Sequence, residues 1–272
     1  MNNSLKTFAF AASAALLAAP AFADDPRPVD PAVAQSKDSG AVDRAAPEMK
    51  LVLQKLMDLG AKPVSQLDVK TARTQPSPAD AVKAVVMDKT GAPATPEAVK
   101  KTEDVKVAGA AGDIPARVYW PADVTGDAAL PLIVYYHGGG WVIATIDTYD
   151  ASARALANQA HAVVVSIEYR KGPEDKFPAA HDDTVAAYKY AVENAGKWNA
   201  DGTDVAVAGE SAGGNMAIDV AIAARDQKLT APKAVLAVYP VAGSDLNTSH
   251  TRTTRTPFRS ARPTSSGSSI NI

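Results

Sequence analysis

Gly209-Glu210-Ser211-Ala212-Gly213 sets a serine among small residues, directly after the β-branched run Val205 to Ala208 and directly before an apolar helical stretch. A serine hydroxyl is a weak nucleophile unless a base takes its proton and a third group orients that base. The bare G-x-S-x-G pattern arises by chance roughly one time in ten in a chain of this length. Its setting is more specific, because strand, tight turn and helix is the geometry that lifts a nucleophilic oxygen clear of a sheet. Bulky neighbours of Ser211 would collide with the strand or the helix, so small ones are required. The helix start behind the serine also offers unpaired N–H groups and a positive dipole end to an anion. A purely structural Gly-rich turn is the alternative reading.

His137-Gly138-Gly139-Gly140-Trp141 follows the apolar run Leu132 to Tyr136 and is the second signal. Consecutive glycines let a backbone turn its N–H groups inward and approach a ligand closely, as an oxyanion hole demands. Gly138 and Gly139 N–H, joined by Ala212 N–H, are the candidate donors to the oxyanion of a tetrahedral intermediate. His137 reads as a hydrogen-bonding brace of this loop rather than as the base. His181 with Asp182 could form a base and its orienter, but the acids of His181-Asp182-Asp183 fit better as groups that favour a helix start and order the loop from Tyr169. His161 precedes a buried strand and reads as a loop residue, and His250 lies in the C-terminal tail.

The elements that must position these residues can be read from patterning. Val105 to Ala108 with Ile114 to Tyr119 forms a predicted antiparallel hairpin. Leu132 to Tyr136, Ala162 to Ile167, Val205 to Gly209 and Ala234 to Pro240 are short β-branched runs of the kind buried on both faces of a parallel sheet. Helical stretches near Ala151 to Gln159, Ala180 to Asn194 and Asn215 to Asp226 separate them, so right-handed crossovers and an α/β fold with helices on both faces are expected. Upstream, Pro47 opens a helix whose Met49, Val52, Leu53, Leu56 and Met57 share one face, with Gly60 at its C-terminal end. Ser77-Pro78-Ala79-Asp80 starts another helix, which carries Val82, Val85 and Val86.

"HGGGW", "YRKGPE" (Tyr169 to Glu174), "FPAAHDD" (Phe177 to Asp183) and "GESAGGN" (Gly209 to Asn215) together resemble the hormone-sensitive-lipase-like branch of the α/β-hydrolases, the bacterial family IV esterases and lipases. The resemblance covers about residues 104–246. It implies an α/β-hydrolase fold with a mostly parallel sheet, a serine carboxylic-ester hydrolase acting through an acyl-enzyme on Ser211, an oxyanion hole at Gly138, Gly139 and Ala212, and a cap made by the N-terminal helices. Lys171-Gly172 departs from the pattern, where Leu-Ala is more usual.

By the same resemblance a triad acid and then a histidine follow later strands. After about Thr248 the chain turns to Ser, Thr and Arg without apolar periodicity, a composition that cannot offset the entropy of ordering. The expectation is therefore a truncated or frame-disrupted relative that lacks its last strands and helices, with 247–272 disordered and Asp245 the spare candidate acid. Without a base the polypeptide would turn esters over poorly. The alternative is a non-catalytic protein that binds an acyl or hydrophobic ligand in the same pocket.

Composition narrows the setting. The net charge is -2 with both signs interspersed, which argues against nucleic acid as a partner. Residues 1–23 carry one Lys, an apolar run from about Phe8 to Ala19 and Ala21-Phe22-Ala23, the pattern of a secretory signal peptide too short to span a bilayer. Export to a bacterial periplasm or medium is expected, with 24–103 as the helical cap region and 104–246 as the core. The chain has no cysteine, hence no disulfide and no thiolate site. Neither metal nor cofactor is implied, and the partner expected is a small-molecule ester.

Overall fold

Among the described residues six strands hydrogen-bond into one sheet: β1 (Lys101–Gly109), β2 (Gly112–Trp120), β3 (Leu130–Tyr136), β4 (Val163–Ile167), β5 (Ala200–Glu210) and β6 (Ala234–Val238). This is a computed structural model, and it describes residues 45–243. The sheet order is β1-β2-β4-β3-β5-β6. The expected hairpin β1–β2 is antiparallel and joins β4 antiparallel, while β4, β3, β5 and β6 run parallel. The expected signal peptide at 1–23, the candidate acid Asp245 and the tail 247–272 lie outside the described residues.

Helices cover both faces, as period-two side-chain alternation demands. On one face Leu132, Val134, Tyr136, Val163, Val165, Val205 and Val207 pack with Tyr188 and Ala191 of a helix at Ala179–Glu193 and with Met216 and Val220 of a helix at Ala212–Asp226. On the other, Ile133, Tyr135, Val164 and Ala208 meet Ala153 and Ala157 of a helix at Asp150–Ala160. These are α5, α6 and α4 respectively, in the numbering that starts with three upstream helices. Every residue of β4 is buried, whereas β6 exposes Val235 at 42% and Leu236 at 41%.

Two compact units divide the chain, the first reaching Thr95, past its last helix, and the second running from Pro96 to Ala242. The second thus begins ahead of residue 104, because β1 already starts at Lys101. In the first, α1 (Pro47–Asp58) and α3 (Pro78–Thr90) pack Val52, Leu56 and Ala81 together. Gly60, at φ 83°, ends α1 in a left-handed turn, as the sequence suggests, but Met57 of the expected face is 40% exposed. Ser77 and Asp80 cap α3 reciprocally, Ser77 N–H to Asp80 Oδ2 at 2.9 Å and Asp80 N–H to Ser77 Oγ at 3.2 Å. The short α2 (Val69–Thr74), capped by Asp68, was not legible: six residues give no apolar period to read.

Candidate active site

Register brings the two sequence signals together. Tyr136 of β3 stands beside Gly209 of β5, so His137 to Gly140 and Ser211 leave the sheet from adjacent parallel strand ends. Ser211 sits between β5 and α6 at φ 57°, ψ -115°, a conformation that costs a non-glycine residue about 1–3 kcal/mol. Its backbone is held by Ser211 N–H to the Val238 carbonyl at 2.9 Å, and its own carbonyl accepts from Asn215 N at 3.0 Å and Val241 N at 3.2 Å. Ser211 occupies the N-cap of α6 without making a side-chain cap bond. A serine there ordinarily spends its oxygen on the first turn; this one does not.

The glycines around the serine are steric necessities. A Cβ on Gly209 would fall on the Gly213 carbonyl, and one on Gly213 would fall on the Tyr136 carbonyl. A Cβ on Gly138 would stand 2.9 Å from the Glu210 carbonyl and 2.5 Å from the Tyr149 hydroxyl, so the glycine loop passes directly against the turn that carries Ser211. Gly139 (φ 121°), Gly140 (φ 59°), Trp141 (φ 59°) and Ala144 (φ 69°) all take the left-handed region. The Tyr149 hydroxyl lies against Gly138, and burial raises the pKa of that phenol.

His137 is fully buried and set as a brace. Its Nδ1 lies 2.7 Å from the Gly138 carbonyl, its ring stacks on Tyr169 at 4.5 Å, and the Tyr169 hydroxyl donates to the His137 carbonyl at 2.8 Å. Its Nε2 stands 3.7 Å from Glu168, past hydrogen-bond reach. Burial alone would push the Glu168 carboxyl up, but His137, Lys171 and the Ile146 N–H together hold it down at about 2. Glu210, beside Ser211, accepts from Tyr135 at 2.8 Å and Tyr239 at 2.9 Å.

The other described histidines have separate duties. His161 ends α4 in the left-handed region and pairs with Asp123 at 3.0 Å, at the entry to β4 and so at the opposite end of the parallel strands from Ser211. His181 Nε2 meets Asn215 Oδ1 at 2.9 Å, and Asn215 Nδ2 donates to the Val241 carbonyl at 2.8 Å. Asp183 is buried, takes Arg170 Nε at 2.8 Å and Nη2 at 2.9 Å, and accepts from Ala110 N at 2.9 Å. It orders the loop after Tyr169, as read from the sequence. Among the described residues no three His, Cys, Asp or Glu side chains gather as metal ligands, and no helix is long and apolar enough to cross a membrane.

Sequence reasoning missed Tyr149, Glu168, Lys171 and Asn215. Lys171 did leave a signal, as a charge where the resembling family has Leu; Asn215 stands in the first turn of α6, while Tyr149 and Glu168 reach the site from separate segments.

A mostly parallel sheet flanked by helices, with a strained serine at a strand-to-helix turn beside a glycine loop, defines an α/β-hydrolase scaffold. The family model described as "alpha/beta hydrolase fold" matches residues 133–268, running past Thr248, where the sequence reading ends the resemblance. Carboxylesterase NlhH of Mycobacterium tuberculosis is 47% identical over 137 residues, 50% of this chain and 42% of that protein. Esterase LipI of the same species is 40% identical over 147 residues, 54% of this chain and 45% of that one. The solved esterase of Pyrobaculum calidifontis superposes with a TM-score of 0.58 at 38% identity, covering 72% of this chain and 58% of that one. The chain belongs to the α/β-hydrolase fold family, in its hormone-sensitive-lipase-like, bacterial family IV branch. It spans less than half the length of these two curated relatives.

Proposed function

We propose that the chain is built for carboxylic-ester hydrolysis through an acyl-enzyme on Ser211. The observation that carries this is the strained Ser211, its hydroxyl left out of helix capping, against the glycine loop at the end of the neighbouring strand. Ser211 Oγ attacks the ester carbonyl and the alcohol leaves; water then attacks the acyl-enzyme and frees the acid. Gly138 and Gly139 N–H, with Ala212 N–H at the first turn of α6, are the oxyanion donors, and His137 braces the loop. The relatives named as esterases support a small-molecule ester as substrate.

The 272-residue polypeptide is proposed to be slow. None of the described histidines is disposed as a base for Ser211, and loss of a triad histidine costs about six orders of magnitude in turnover, leaving roughly a thousandfold over water. Export rests on residues 1–23 and is proposed on that sequence alone. A fluorophosphonate probe and a short-chain aryl ester test the reading. We expect slow labelling that Ser211→Ala abolishes and weak turnover; fast turnover lost in Ser211→Ala would overturn the impairment. Labelling indifferent to Ser211→Ala, with retained binding of an acyl ligand, would favour the non-catalytic binding reading instead.

A further inference from the structure

The loop from His137 to Ile146 keeps two non-glycine residues, Trp141 and Ala144, at positive φ, each costing about 1–3 kcal/mol. Something outside the loop must hold it. The segment just after β4 does so at four points: the Tyr169 hydroxyl donates to the His137 carbonyl at 2.8 Å, Gly172 N to the Trp141 carbonyl at 2.8 Å, Ile146 N to Glu168 Oε2 at 2.8 Å, and Lys171 Nζ to the Ala144 carbonyl at 2.6 Å. Lys171 also pairs with the other oxygen of Glu168 and is only 17% exposed. Its ammonium thus joins two of the four ties, through the carbonyl of a strained residue and the carboxylate that grips Ile146.

We infer that Lys171 is a positioning residue of the oxyanion loop, holding Ala144 and Ile146 in place and neutralising Glu168. This rests on the reading of the glycine loop as an oxyanion hole. A leucine at 171 has no donor for the Ala144 carbonyl. It would also leave the Glu168 carboxylate without the ammonium that neutralises it. An uncompensated carboxylate behind the loop opposes the negative charge that develops on an ester carbonyl, and in a water-poor site that opposition is weakly screened. A residue in that role acts on the transition state more than on ground-state binding, so its loss lowers kcat and leaves KM in place.

The test compares Lys171→Met and Lys171→Leu with Lys171→Arg in the full 272-residue chain by two readouts. Amide hydrogen exchange over 139–146 is expected to rise about tenfold in Lys171→Met and Lys171→Leu while β3, β4 and β5 stay protected, and to return toward the parent in Lys171→Arg, whose guanidinium can reach both acceptors. On a short-chain aryl ester kcat is expected to fall about tenfold with KM unchanged, again recovered by arginine. Unchanged exchange at 139–146, or a rise shared equally by β3 and β5, overturns the inference. Should the parent chain show no turnover at all, the esterase reading fails by itself, and the exchange readout still decides the role of Lys171.

Discussion

The middle of the sheet and its β6 edge are made of similar β-branched residues but live in different surroundings. β4 is buried throughout and β3 nearly so, and two carboxylates packed around them are tied more than once: Asp183 to Arg170 and Ala110, Glu168 to Lys171 and Ile146. At β6, Val235 and Leu236 face solvent, with Ile222 of α6 exposed nearby in the fold at 45%. Ser211 spans the two regions. Its turn is shaped by glycines pressed on β3, yet its N–H is held by Val238 at the end of β6. Strain at Ser211 is thus supported from a rigid side and from a sparsely covered one.

Perturbing the rigid side should cost most. Gly213→Ala puts a methyl on the Tyr136 carbonyl, inside a strand that cannot yield, and we expect a loss of roughly 4 kcal/mol in the urea midpoint analysis, together with release of the Ser211 turn. Acid is the next lever. Glu168 binds its proton at about 2 in the folded chain against an ordinary 4.5, so the unfolded chain holds more protons between those values. Its contribution is complete above pH 4.5 and disappears as pH falls toward 2, a loss of about 3 kcal/mol at 1.36 kcal/mol per pH unit. Glu168→Gln should flatten that part of the stability-against-pH curve; an unaltered acid limb would refute the assignment.

Asp183→Asn keeps the shape but sets an amide against Arg170 and removes a charge from buried bonds, for an expected loss of about 2 kcal/mol by thermal or urea unfolding. The smallest folding effect belongs to the edge. Val235→Lys is expected to change stability by no more than about 0.5 kcal/mol, since the side chain is already in solvent. It should nonetheless reduce self-association in sedimentation or light scattering, because a lysine on an exposed edge strand discourages pairing with another chain. If Val235→Lys instead unfolds the protein, the contrast between centre and edge is wrong.

Much of this was written in the chain. The four parallel strands announce themselves because strands buried on both faces need unbroken β-branched runs, and α3 because Ser77 and Asp80 satisfy each other locally. The serine turn and the glycine loop are legible for the same reason: tight backbone approach admits few residue types, so the steric demand is printed in Gly209, Gly213 and the run Gly138 to Gly140. His137 as a brace and Asp183 as the organiser of the loop after Tyr169 follow from motif context.

The side-chain partnerships between separate loops exist only in the folded chain. The Tyr149 hydroxyl comes against Gly138 only in the folded chain, and the meeting of Glu168, Lys171 and Ala144 depends on β4 lying beside β3 in the sheet. No period or local spacing encodes such contacts, because long side chains choose partners by final position rather than by sequence distance. The sequence by itself determined the lineage and the turn that carries the serine; the fold determined what holds the loop opposite it.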